Sequence, residues 1–132
     1  MDARTSRYHE VYARWQRDPE GFWAEAARDI DWYQPATKIF DPQMGIYGRW
    51  FVGATCNTCH NAVDRHVAAG RGAQAAIIYD SPVTGAKRAV SYAEMLAEVR
   101  AFAAVLRDFG IETGDRVILY MPMVPETAVA ML

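Results

Sequence analysis

The spacing of apolar residues predicts helices in the first half of the chain. Tyr8, Tyr12 and Trp15 recur at positions i, i+4 and i+7, which share one face of a helix. Asp18 before Pro19 has the pattern of an N-cap with proline at the first helical position, so a second helix is predicted to follow. Residues 31–48 contain two prolines and two glycines without a clear period, which predicts a long connection. This half is therefore predicted to consist of helices and loops.

The period changes in the second half of the chain. Residues 75–79 form a short apolar run typical of a strand buried on both faces, and residues 87–90 fit a short returning strand. A capping box at residues 91–94 opens a helix with an i, i+3, i+4 apolar stripe, and Gly110 closes it. Residues 116–121 are predicted to be a second buried strand. Strand, crossover helix and strand together predict a right-handed βαβ unit.

These elements place the chain in the α/β class with two parts. We predict a helical N-terminal segment over residues 1–66 and the beginning of a parallel α/β domain over residues 67–132, with a flexible joint at 70–72. Pro125 can open a further helix, but no capping glycine or strand follows it. Because one βαβ unit cannot cover both faces of a parallel sheet, we expect the chain to be truncated in mid-pattern.

Composition limits the function classes. The 132 residues are 52% hydrophobic and 23% charged, which excludes intrinsic disorder, and the net charge of −2 offers no footprint for nucleic acid or an anionic membrane. No apolar run approaches the ~20 residues that span a bilayer, and the N-terminus lacks a signal-peptide pattern. With only two cysteines, we expect a cytoplasmic protein with free thiols.

The most conspicuous local motif is a CxxCH sequence at Cys56, Cys59 and His60. This is the attachment pattern of c-type haem, but haem attachment requires export, and the chain shows no export signal. Zinc is an alternative because His66 adds a fourth potential ligand. However, Cys59 and His60 are adjacent and would point about 100° apart on a helix, which suits one tetrahedral metal poorly. We favour buried apolar thiols and locally hydrogen-bonded histidines over either metal site.

Other catalytic and phosphate-binding patterns are missing from the sequence. Neither GxGxxG nor GxxxxGK[ST] occurs, and Lys38 and Lys87 are the only lysines in the chain. The sequence therefore predicts no catalytic, cofactor-binding or metal-ligating residue in these 132 positions.

Four longer motifs point to a family. Trp50-Phe51 is followed by CHNAVDRH at 59–66, IYDSPVTG at 78–85, GIETGDRV at 110–117 and YMPMVPE at 120–126. From about Tyr8 onward the chain resembles the N-terminal part of short-chain acyl-CoA synthetases, the acetate and propionate ligases. The sequences of the motifs at 59–66 and 78–85 are more similar to those of propionate ligases than to those of acetate ligases. Cys56 and Thr58 depart from the expected pattern, and Cys56 alone completes the CxxCH match.

The resemblance implies an adenylate-forming ligase that uses ATP, Mg²⁺ and coenzyme A. In the family, the phosphate loop, the ribose-binding aspartate, the arginines near CoA and the catalytic lysine lie downstream of this region. No catalytic residue can therefore be carried over, and we expect this chain to be inactive alone and to bind none of these cofactors. Its expected partner is the remainder of its own adenylation domain, and the substrate of the parent enzyme is a short-chain carboxylate.

A different class of function remains open. The chain could be a stand-alone, non-enzymatic interaction module that binds a partner through the aromatic surface around Trp32 and Trp50. Such a module predicts a monodisperse protein that melts cooperatively, whereas a truncated enzyme predicts exposed apolar surface.

Overall fold

The computed structural model describes residues 6–132 and divides into two compact units. The first unit extends to Asn57, and the second runs from Thr58 to Leu132. No helix among the described residues is both long and apolar enough to cross a bilayer.

The first unit begins with two helices where the sequence predicts them. Helix α1 spans Tyr8–Arg17, and helix α2 spans Pro19–Ala26 before a 3₁₀ turn at Ala27–Asp29. Asp18 caps α2 because its Oδ1 accepts the Gly21 N–H at 2.9 Å, which confirms the predicted N-cap.

The rest of the first unit consists of short strands, which differs from the prediction. Two antiparallel pairs form, β1 with β4 and β2 with β3, so the description of this half as helices and loops is wrong. The strands are β1 (Trp32–Gln34), β2 (Lys38–Asp41), β3 (Arg49–Val52) and β4 (Thr55–Cys56). Strands of two to four residues are too short to show the alternation from which a strand is predicted.

The β2–β3 pair depends on one glycine. Gly48 adopts φ +70°, and a Cβ there would collide with the Phe40 ring. The close approach lets Phe40 pair with Trp50 across the strands, with ring centroids 4.6 Å apart. Glycine is thus required here both for the left-handed backbone and for the space.

The second unit opens with a helical segment. It contains π-type turns at His60–Asp64 and Val67–Arg71 and is kinked where Gly70 adopts φ +79°. Strands β5 (Ala75–Asp80) and β6 (Lys87–Ser91) then form an antiparallel pair.

Helices α3 (Tyr92–Asp108) and α4 (Pro125–Met131) complete this unit. Gly110 ends α3 as predicted: its N–H donates to the Arg107 carbonyl, and the Ile111 N–H donates to the Leu106 carbonyl. Helical and strand residues build one core, whose buried members are Val63, Val90, Met95, Leu96, Val99 and Val129.

The α/β class is confirmed, but the closing strand of the βαβ unit is not formed. Residues 116–121 carry neither helix nor strand, and every strand pair within residues 6–132 is antiparallel. β5 pairs with its hairpin neighbour β6, so 116–121 has no partner strand to order it among the described residues. Most of its apolar side chains are exposed, with Ile118 90% exposed. The predicted burial of β5 on both faces is also wrong, because Ile78 is 83% exposed.

Candidate functional site

The CxxCH cysteines occupy different environments. Cys56 is exposed at the end of β4, whereas Cys59 is partly buried, and both thiols are free. The Cys59 thiol donates to Asp64 Oδ2 at 3.6 Å. Burial raises the pKa of the Cys59 thiol, and the Asp64 carboxylate beside it raises that pKa further. Cys59 is thus held as a protonated thiol at neutral pH.

Asp64 and His66 lie in the helical segment that opens the second unit, and both contact neighbouring side chains. Asp64 Oδ1 lies 3.5 Å from the Arg100 guanidinium of α3. His66 Nδ1 lies 3.2 Å from Nη1 of Arg71, and its ring lies 5.1 Å from that of Tyr92. In the part of the chain that the structure describes, no group of three or more His, Cys, Asp or Glu side chains could hold a metal ion. The haem and zinc interpretations of the motif therefore gain no geometric support.

The two lysines do not form a phosphate site. Lys38 pairs with Asp41 at 3.3 Å, and Lys87 pairs with Asp80 at 2.8 Å, both at the surface. Neither lies in a glycine-rich loop of the kind that cradles phosphates. The two lysines therefore give no geometric support to a nucleoside triphosphate site. The prediction that this chain holds no catalytic or cofactor-binding residue stays a prediction.

An aromatic groove runs along the first unit. Two shallow cavities of about 270 and 460 Å³ share Trp15 and Trp23 in their walls. The groove is lined by Tyr8, Val11, Tyr12, Trp15, Phe22, Trp23, Trp50 and Phe51.

Only part of this groove agrees with the predicted aromatic surface. Trp50 lines it, but Trp32 does not line either cavity: its Nε1–H donates to the Ala27 carbonyl at 2.8 Å, and its ring packs on Phe51. Tyr8 and Tyr12 line it, although their helical stripe alone does not separate a groove from a core face. Tyr8 is 61% exposed, so this stripe lines a groove and not a buried core face.

A second apolar surface lies on the other unit. It comprises the segment 117–123 and the end of α3, and its most exposed side chains are Phe109, Ile118, Tyr120 and Met123. Single exposed apolar residues are normal on proteins, but a run of this kind is typical of a surface that another part of a protein covers.

Comparison with known families accounts for the chain in two consecutive parts. A family model described as "Acetyl-coenzyme A synthetase N-terminus" matches residues 8–62, and one described as "AMP-binding enzyme" matches residues 63–132. The chain therefore belongs to the AMP-binding enzymes.

Individual relatives agree with this assignment. The chain is 46% identical over 127 residues to acyl-CoA synthetase short-chain family member 3, mitochondrial, of Homo sapiens, covering 96% of this chain and 18% of that protein. It is 40% identical over 123 residues to an acetyl-coenzyme A synthetase of Mycobacterium bovis, covering 93% of this chain and 19% of that protein. The solved structure of an acetoacetyl-CoA synthetase from Streptomyces lividans superimposes with a TM-score of 0.73 at 29% identity, covering 89% of this chain and 18% of that one. The chain thus spans about a fifth of the length of these relatives.

Proposed function

We propose that the chain is the N-terminal part of an AMP-forming acid–thiol ligase whose preferred substrate is propionate. The observation that carries the proposal is the uninterrupted succession of two family matches over residues 8–132. Relatives that carry the names acyl-CoA, acetyl-CoA and acetoacetyl-CoA synthetase support the ligase class. The motifs at 59–66 and 78–85 support propionate over acetate.

Such a ligase joins a carboxylate to AMP with release of pyrophosphate and then transfers the acyl group to the thiol of coenzyme A. Charge developing on the phosphates is offset by cationic side chains and Mg²⁺. Lys38 and Lys87 are both paired with surface carboxylates, which supports our proposal that ATP, Mg²⁺ and coenzyme A bind to other parts of the parent enzyme. This chain alone is accordingly proposed to be inactive.

The partner proposed for this chain is the rest of its adenylation domain. The exposed apolar side chains of 117–123 support this, since such a surface would be buried once neighbouring strands pair with the segment. We further propose a functional division near residue 66, with a leader over 1–66 and the start of the adenylation domain over 67–132.

We also propose a cytoplasmic location for the parent enzyme. The net charge of −2, which offers no footprint for an anionic membrane surface, supports it. Some similar proteins carry the word mitochondrial in their names, so fractionation of the native cells with a matrix marker as reference is the test.

The decisive experiment measures carboxylate-dependent pyrophosphate release by the longer protein that contains this chain. We expect kcat/KM for propionate to exceed that for acetate by about tenfold or more, the usual effect of one methylene in an apolar pocket. The 132-residue chain alone serves as the matched control and should release no pyrophosphate. No release from the longer protein would contradict the ligase, whereas a preference for acetate would contradict only the substrate.

The aromatic groove favours a second candidate, a stand-alone interaction module. Its cavities have apolar walls and open on a surface where Tyr8 and Trp23 are exposed. This candidate requires a monodisperse chain that melts in one cooperative transition and binds little hydrophobic dye. Strong dye binding or aggregation would contradict it.

A further inference from the structure

A third cavity of the first unit combines apolar walls with one charged residue. It has a volume of about 230 Å³ and lies among α2, the 3₁₀ turn and strands β1 to β3. The rings of Trp32 and Phe51 and several small apolar side chains form its walls, and of the described residues that line it only Arg28 is charged. A cavity of about 150 Å³ is large enough for benzene, so this one has room for a substituted ring.

Hydrogen bonds hold the walls of this cavity in place. The Trp32 Nε1–H donates to the Ala27 carbonyl at 2.8 Å, which fixes the indole against the 3₁₀ turn. The Phe51 ring packs on this indole, with centroids 5.5 Å apart. The Thr37 N–H and hydroxyl both donate to the Val52 carbonyl, at 2.9 and 3.1 Å, and so attach the loop after β1 to β3. A preformed cavity of this kind costs little conformational entropy when a ligand binds.

One wall residue, Phe51, has a strained backbone. Among the described residues it is the one non-glycine residue with positive φ, at +50°. A bulky side chain rarely adopts this region, and residues that do are concentrated at ligand-binding and active sites. The positive φ interrupts the alternation of side chains along β3, and the Phe51 ring lies near both Trp32 and Trp50. The strain therefore falls on a residue that shapes the cavity.

Arg28 supplies the charge that a ligand of this cavity would meet. It is exposed, and none of the ion pairs within the described residues of the first unit uses it. A guanidinium is always charged, and its planar fork of N–H donors matches the two oxygens of a carboxylate. Charge complementarity therefore selects an anionic head group, while the walls select an uncharged, apolar body.

We propose that this cavity binds an aromatic monocarboxylate, with its ring against Trp32 and Phe51 and its carboxylate on Arg28. Tilted and edge-to-face contacts between aromatic rings are favourable, so the two walls suit a ring better than a short aliphatic chain. A neutral aromatic amide of the same shape would keep the ring contacts but lose the ionic one. The inference does not depend on the proposed ligase: failure to bind benzoate would leave the expected pyrophosphate release unchanged.

The test is a titration of the ¹⁵N-labelled 132-residue protein with benzoate, followed by NMR. The indole Nε1–H signal of Trp32 should shift and saturate with a Kd of about 1 mM, an ordinary efficiency for a ligand of about nine non-hydrogen atoms. The indole signal of Trp15, which lines a different cavity, should stay in place. Benzamide and propionate should each bind about tenfold more weakly or less. A Trp32 signal that does not saturate, or a larger shift at Trp15, would overturn the proposal.

Three variants test the role of Arg28. Arg28→Gln should weaken benzoate binding about tenfold or more, because the charge-assisted hydrogen bonds are lost, and should leave benzamide binding unchanged. Arg28→Lys keeps the positive charge without the fork and should lie between this variant and wild type. Arg17→Gln removes a positive charge that does not line the cavity and should bind benzoate as wild type does.

Two results with these variants would contradict the proposed site. Equal benzoate affinities in wild type and Arg28→Gln would show that Arg28 does not hold the carboxylate. An equal loss of benzoate and benzamide binding would assign the effect of the substitution to the walls and not to the charge. The dispersion of the four indole signals in each variant shows whether the first unit remains folded, since all four tryptophans lie in it.

Discussion

The Ser91 and Glu94 side chains satisfy each other's backbone N–H groups at the start of α3. The Glu94 N–H donates to Ser91 Oγ at 3.3 Å, and the Ser91 N–H donates to Glu94 Oε2 at 2.8 Å. This capping box is predicted from four residues of sequence and is present in the structure. It fixes where the helix begins and therefore which side chains reach the core.

Removing the cap should destabilise the second unit. Ser91→Ala leaves the Glu94 N–H without its acceptor, so we expect a loss of about 1 kcal/mol in the free energy of unfolding. Urea titration followed by circular dichroism at 222 nm is the measurement. Ser91→Thr retains a hydroxyl and is the matched control. An equal loss in both variants would assign the effect to packing rather than to the cap.

The same box predicts a pH dependence. The backbone N–H of Ser91 lowers the pKa of Glu94 below its ordinary value of 4.5, and the Ser91 hydroxyl lowers it further. A lowered carboxyl pKa means that the folded state favours the ionised form. The contribution is thus present above pH 4.5 and is lost as pH falls through the lowered pKa.

Glu94→Gln should therefore reduce the loss of folding stability that accompanies a fall in pH. We expect thermal melts between pH 5 and 3 to show a smaller loss for this variant than for wild type. Glu112→Gln, in the turn after α3, is the control that should retain the wild-type slope. Parallel curves for wild type and Glu94→Gln would contradict the role of the carboxylate.

Two glycines of the first unit should respond differently to the same substitution. Gly48 and Gly45 both have positive φ, +70° and +77°, but a Cβ at Gly48 would meet the Phe40 ring, whereas one at Gly45 meets nothing within 4 Å. Gly48→Ala is thus expected to be the more destabilising by about 1–3 kcal/mol, the typical cost of overpacking. Tryptophan fluorescence reports this directly, because all four tryptophans lie in this unit. Equal midpoints for the two variants would contradict the steric argument.

The two cysteines should differ in reactivity. Cys56 is exposed, while burial and then Asp64 raise the pKa of Cys59, so less thiolate is available at Cys59. We expect iodoacetamide at pH 8 to alkylate Cys56 first, as read by peptide mass spectrometry. Asp64→Asn should speed the reaction of Cys59, whereas Asp80→Asn, at a carboxylate paired with Lys87, should not. Equal rates at the two thiols would contradict the environment assigned to Cys59.

Local signals in the sequence were sufficient for the helices. Asp18 before Pro19, the Ser91–Glu94 box and Gly110 each define a helix end through a contact within a few residues, and all three are found. Strands depend on a partner that the local pattern does not specify. Residues 116–121 have strand composition but no partner among the described residues, and β1 to β4 are ordered by pairing although their sequence shows no alternation.

The aromatic groove, like the short strands, could not be predicted from the local sequence pattern. A helical stripe of Tyr8, Tyr12 and Trp15 has the same spacing whether it faces a core or solvent. In the structure their rings stack along α1, with centroids 5.6 Å apart, and stay partly exposed. The family assignment came from long motifs, which identify relatives without requiring that the fold be derived first.

The exposed segment 117–123 offers a test that separates the ligase proposal from the stand-alone module. Ile118 is 90% exposed, so Ile118→Glu removes no burial, and the free energy of unfolding of the 132-residue chain should change by less than about 0.5 kcal/mol. Val90→Glu, at a side chain that is 1% exposed, is the contrasting control and should unfold the second unit because it buries an unpaired charge.

In the longer protein the expectation for Ile118→Glu reverses. If 117–123 lies against neighbouring strands there, the carboxylate is buried without a partner, and soluble yield and pyrophosphate release should both fall sharply. A lysine at the same position should be equally harmful, since the cost arises from burial and not from the sign of the charge. Full tolerance of both substitutions in the longer protein would show that the segment stays at a surface, and the proposed partner of this chain would then be wrong.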